Sequence, residues 1–190
     1  MNYGRLKWFL PNELDEEQLE YYKQLTSGPR GMHVTDGEGR LRGAFNARLL
    51  DPPIGTAIQE LGAALRFGGH LSDRIREIVI LVVARSERSS YEWRGHSLLG
   101  REAGMTDADI DALRTGGPAP TFDEEEQVSR EVAQHLIEHR DLSDEMFDMA
   151  SEKIGNVRIF DIVSLVGHYQ NTATALRVWR VPVETEIDFK

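Results

Sequence analysis

Apolar and polar positions along this chain recur at helical rather than strand period, and capping residues punctuate them. Residues 13–26 (ELDEEQLEYYKQLT) predict a first helix, ended by Gly28-Pro29. Residues 27–43 hold five glycines and predict a long loop, of a length that is uncommon unless functional or mobile. Asp51-Pro52 supplies a cap and a first-turn proline for a helix running to about Phe67. Ser72 caps the next, and its β-rich run Ile78 to Ala84 continues the helix without a turn signal. A helix from about Ser90 to Ala103 follows, with Gly104 as its C-terminal cap. Thr106 caps a short helix ending near Gly116-Gly117. Thr121 and Glu124 fit a capping box for a helix reaching His139. Ser143 caps one that ends at Gly155. The last helix, about Val157 to Trp179, is apolar over most of its surface and is expected to be buried. No strand and no short repeat is expected, so the pattern predicts an all-α single domain, residues 1–190, of about eight helices.

Composition narrows the chemistry. The 190 residues include no cysteine, which excludes disulfides, thiolate metal sites and thiol catalysis. A net charge of −10 argues against nucleic acid as a partner. The apolar runs are too short for a membrane span, and the N-terminus turns acidic quickly rather than resembling a leader. A soluble, cytoplasmic protein is expected.

The chemically informative stretch is residues 72–104. Ser89, Glu92 and His96 are spaced by three and four, so they share one helix face. A carboxylate that touches an imidazole raises its pKa and orients it, as a general acid/base pair requires; a surface ion pair is the plain alternative. Glu77 lies among apolar neighbours, so it either pairs with Arg74 or projects into a cleft. Tyr91 and Trp93 flank Glu92 and must point to different sides, with Trp93 the better core residue. Ser89 either contacts substrate or caps its helix. His168, on the apolar last helix, is either a hydrogen-bonded core residue or the far wall of the cleft. Glu131, His135 and His139 repeat every four residues, but on so charged a helix a solvated face is preferred to a metal site. Arg30, Arg40 and Arg42 in the loop, and Arg66, are candidate anchors for an anion.

The pattern RExxIL…YEWxxHxxLxREAG resembles the carboxymuconolactone decarboxylase family, within the alkylhydroperoxidase D-like superfamily. The peroxidase branch of that superfamily carries a Glu, a CxxC pair and a His spaced E-x11-C-x2-C-x3-H; here the same spacing reads Glu77, Ser89, Glu92 and His96. The resemblance is strongest over residues 43–115, weaker over 156–181, and extends to GPRG and GRLRGAFN near the start. With serine and glutamate at the cysteine positions, the thiol peroxidase route is closed.

The resemblance implies an alkylhydroperoxidase D-like fold that assembles as a homo-oligomer, as a trimer or hexamer. It implies a cofactor-free lyase or isomerase acting on a small lactone or oxygenated carboxylate, without metal. His96 would shuttle the proton, Glu92 would orient or charge it, and Glu77 would be a second carboxylate kept neutral by burial. Ser89, Tyr91, Arg66 and His168 would contact the substrate. The alternative is a non-catalytic small-molecule binder or assembly protein on the same scaffold, distinguished by whether Glu77, Glu92 and His96 meet in one pocket.

Overall fold

The computed structural model describes residues 1–28 and 30–189, with Met32 through its backbone alone. Among the described residues there are nine α-helices: α1 Glu16–Ser27, α2 Ala44–Ala47, α3 Pro52–Phe67, α4 Asp73–Ser86, α5 Ser90–Glu102, α6 Asp107–Thr115, α7 Glu124–His139, α8 Asp144–Lys153 and α9 Gly155–Val178. No helix among them is long and apolar enough to cross a membrane.

The core is built around α4. Ser72 accepts the Ile75 amide and starts the helix. Every residue from Ile75 to Ala84 is then buried, because α5, α7 and α9 pack around it and α6 closes one end. Enclosure on all sides explains how a β-branched run stays helical: burial outweighs the small difference in intrinsic propensity. A smaller cluster of Tyr21, Leu25, Val34, Leu41 and Leu49 joins α1 to the glycine-rich segment.

That segment is more ordered than its composition predicts. Asp36 accepts the amides of Glu38 and Arg40 at 2.9 and 2.8 Å, and Thr35 and Leu41 form a bridge across the turn. Gly31–Val34 makes one 3₁₀ turn. Pro29, expected to help end the first helix, lies outside the described residues.

Several expected boundaries move. A two-residue antiparallel hairpin pairs Asn2 with Lys7 and Tyr3 with Leu6, where no strand was expected; it is too short to show a period. The first helix begins at Glu16, capped by Asp15, because residues 11–13 form a separate 3₁₀ turn. The capping box of α7 is Asp123 with Glu126, not Thr121 with Glu124. Thr121 is drawn away by the buried Asp109, to which it donates from its amide at 3.1 Å and its hydroxyl at 2.6 Å. Gly155 opens α9 rather than ending α8, and its φ of +80° makes the sharp turn between them. The last helix is not buried all round: Val157, Phe160, Val163 and Val178 are exposed on its outer side.

Candidate active site

The N-terminal turn of α5 places the acid/base residues. Ser89 caps it, with its side chain toward the Glu92 amide. One turn further along the same face, His96 Nε2 lies 3.3 Å from Glu92 Oε2. The neighbouring α4 supplies Glu77, whose Oε2 accepts from His96 Nδ1 at 2.6 Å. The imidazole is therefore held between two carboxylates from two helices. Tyr169 of α9 stands edge-on to it, ring centres 5.0 Å apart.

Glu77 is almost wholly buried, yet its surroundings are not apolar. Its Oε1 lies 3.6 Å from Arg66 and 3.5 Å from Arg76, without a hydrogen bond to either. Of the two alternatives for Glu77, the pairing with Arg74 is not formed, and the carboxylate reaches the cavity only through His96. Arg74 turns to the other side of α4, where its Nε meets Glu126 at 2.6 Å and its terminal nitrogen lies 3.6 Å from Asp109. Nor is Glu77 in an apolar cage: two guanidiniums and an imidazole face it.

Burial is the strongest single influence on His96 and pushes its pKa down. The hydrogen bonds and charges of Glu77 and Glu92 outweigh it together and hold the group up at about 9. A ring held this high is protonated at neutral pH, with Nδ1–H donating to Glu77 and Nε2 within ion-pair range of Glu92.

Glu92 and His96 open onto a cavity of about 460 Å³, a size suited to a small organic molecule. Glu77 lies behind His96 and does not line it. Arg30, Arg48 and Arg66 face the same space, as do Tyr91, His168 and Tyr169. Tyr91 reaches it past Gly43, whose φ of +59° and missing side chain let the phenol approach; a Cβ there would sit 2.7 Å from the Tyr91 hydroxyl oxygen. Trp93, on the other side of α5, is buried against Phe189. His168 also lines the cavity, with burial first and then the charges of Arg48 and Arg30 pushing it down to about 4. It is a neutral imidazole beside cations.

The other candidates sit elsewhere. Ser89 is a cap facing a separate recess near Arg177 and Arg180 and does not line the cavity. Arg40 is engaged with Asp36 and Glu38. Arg42 borders a groove beside the N-terminal hairpin. Glu131 takes a hydrogen bond from Gln127 at 2.7 Å, and His135 and His139 stack edge-on. Among the described residues no group of three or more histidines and acids is placed to hold a metal ion.

Arg48 and Tyr169 are cavity residues that sequence reasoning missed. Arg48 leaves the four-residue α2, too short to give a periodic signal. Tyr169 adjoins His168, and a buried tyrosine beside a buried histidine on the last helix was the available hint.

A helical scaffold carries a carboxylate–imidazole–carboxylate line at its cavity, and comparison with known proteins shows what it is similar to. Residues 52–135, the segment that carries Arg66, Glu77, Glu92 and His96, match the model of the carboxymuconolactone decarboxylase family. The fold is that of alkylhydroperoxidase D-like proteins. An alkylhydroperoxidase AhpD core structure from Ralstonia eutropha JMP134, an uncharacterized peroxidase-related protein, superposes with a TM-score of 0.77 at 12% identity, covering 98% of this chain and 95% of that one. An uncharacterized peroxidase-related protein from Silicibacter sp. TM1040 gives a TM-score of 0.76 at 14% identity, covering 100% and 97%. No curated protein matches the chain.

Proposed function

We propose that this protein is a cofactor-independent acid/base enzyme, a lyase or isomerase that moves a proton next to a carbonyl in a small lactone or oxygenated carboxylate. The observation that carries this reading is the line Glu77–His96–Glu92, closed at 2.6 and 3.3 Å and opening on one side into a cavity whose largely apolar wall also holds three arginines. The relatives' peroxidase-related descriptions do not transfer by a thiol route, because the chain has no cysteine.

Each residue has a role that its position supports. Glu77 accepts the hydrogen bond from Nδ1–H and fixes the imidazolium, directing Nε2–H toward Glu92 and the cavity. If a carboxylate leaves the substrate as CO₂, the electron pair of the broken C–C bond becomes an enolate. Its carbon then takes the Nε2 proton of His96, leaving a neutral imidazole. If instead a C–H bond is to be broken, the Glu92 carboxylate receives the proton, and the imidazolium and cavity arginines stabilise the enolate charge. The binder alternative is best served by a filled or dry apolar cavity; this one is open and mixed, and although Glu77 stays behind His96, the charged groups Arg30, Arg48, Arg66, Glu92 and His96 in its wall support chemistry.

The test is CO₂ release from γ-carboxymuconolactone together with deuterium uptake from D₂O beside the ketone of 4-oxopentanoate, followed by NMR. Wild-type protein is expected to catalyse at least one. His96→Ala, still folded by circular dichroism, is expected to lose about 10²-fold or more in rate. Equal rates in both proteins, or none in wild type for either compound, would remove this reading.

A further inference from the structure

The cavity has a second pole. Arg30, from the glycine-rich segment, and Arg48, just beyond α2, both line it and share one platform: their guanidinium carbons lie 5.8 and 4.7 Å from the centre of the Phe45 ring. Arg66, by contrast, already leans on Glu77. Neither Arg30 nor Arg48 forms an ion pair with a carboxylate among the described residues; Arg48 meets the Gln59 amide oxygen at 3.5 Å and lies beside the Tyr21 hydroxyl, and Arg30 Nε is buried without a partner. Two guanidiniums crowded into one wall repel each other unless an anion joins them.

The close packing of this corner depends on α3. Gly62 faces the same corner, and a Cβ there would stand 2.9 Å from His168 Nε2 and 3.2 Å from a terminal nitrogen of Arg30. The missing side chain lets Arg30 and the His168 ring close on one spot. Tyr169 separates this corner from the proton-transfer residues, its ring centre 5.0 Å from that of His96 and 5.3 Å from that of His168. Burial first, and then the cations at this end, push His168 down, which leaves a neutral ring able to contact an anion without adding charge.

We infer that Arg30 and Arg48 form a carboxylate anchor, so that the ligand of this cavity is a small organic anion bound end-on, its carboxylate on these two arginines and its carbonyl end toward Glu92 and His96. The planar guanidinium fork suits a carboxylate, and an unpaired cationic wall in a protein of net charge −10 recruits an anion locally. This rests on the reading of the cavity as a substrate site and adds which end of the substrate is recognised and by what.

Calorimetric binding of 4-oxopentanoate and of its uncharged methyl ester tests the anchor apart from catalysis. Wild-type protein is expected to bind the acid about tenfold or more tightly than the ester. Arg30→Met and Arg48→Met are each expected to lose about that factor for the acid alone, Arg48→Lys to recover part of it, and Glu92→Gln to keep acid binding while proton exchange falls. Melting curves check that both variants fold, and Arg48→Lys keeps the charge as a control. Equal affinity for acid and ester, unchanged acid affinity in the folded Arg→Met variants, or no acid binding at millimolar concentration would overturn the anchor. Acid binding without exchange in wild type would keep the anchor and refute the proposed reaction.

Discussion

At the scale of single residues, the site is a matter of which carboxylate reaches which nitrogen. Helical spacing brings Glu92 to His96, but Glu77 makes the shorter contact, at 2.6 Å, from another helix. Replacing Glu77 by Gln removes a charge and leaves a weaker acceptor at Nδ1. His96 is then expected to fall from about 9 by roughly one to three pH units, read from NMR titration of the imidazole. An unchanged titration would show that Glu92 alone sets the ring's protonation. Asp109 is the corresponding structural residue. It accepts from the Thr106 amide and hydroxyl at 2.9 and 2.8 Å and from both Thr121 donors, within ion-pair range of Arg74. Asp109→Ala strands these donors at a buried site, and a loss of about 3 kcal/mol in chemical denaturation is expected.

At the scale of elements, most helices start where a capping side chain says they should. Ser72, Ser89, Thr106 and Ser143 all cap, because a short polar side chain satisfies an otherwise orphaned amide. The exceptions are instructive. Thr121 had cap chemistry and a Glu three residues on, but a buried carboxylate from α6 competed for its donors and won. Gly155 looked like a stop signal, and its left-handed φ serves the next helix. Gly62 yields an element-scale prediction. In an ordinary helix Gly→Ala stabilises by about 1 kcal/mol. Here the added methyl meets the His168 ring at 2.9–3.0 Å, so Gly62→Ala is expected to destabilise α3 against α9, by about 1–3 kcal/mol, and to shrink the anion corner. A raised melting temperature with undiminished binding would contradict this.

At the scale of the whole molecule, the two buried histidines bend stability in opposite directions with pH. His96 is held above its ordinary 6.5, at about 9, so its contribution is complete below 6.5 and is lost as pH rises through 9. His168 is held below 6.5, at about 4, so the unfolded chain takes up its proton first and stability falls as pH drops from 6.5 toward 4. A melting temperature that peaks near 6.5 and declines on both sides is therefore expected. His96→Gln should flatten the alkaline limb and His168→Gln the acid limb; a limb that survives its variant would belong to other groups.

The sequence by itself determined the helical class, most helix starts, the absence of thiol chemistry and the Glu92–His96 pair, because caps, composition and i,i+4 contacts are local. Only the tertiary structure decided that Glu77 turns to His96 rather than Arg74, that Arg48 and Tyr169 belong to the cavity, and that Ser89 does not. Those facts depend on which faces of α4, α5 and α9 meet, and on a glycine-rich segment folded back by Asp36 and held by Val34 and Leu41. Such contacts join residues far apart in the chain, where no spacing rule connects one side chain to another.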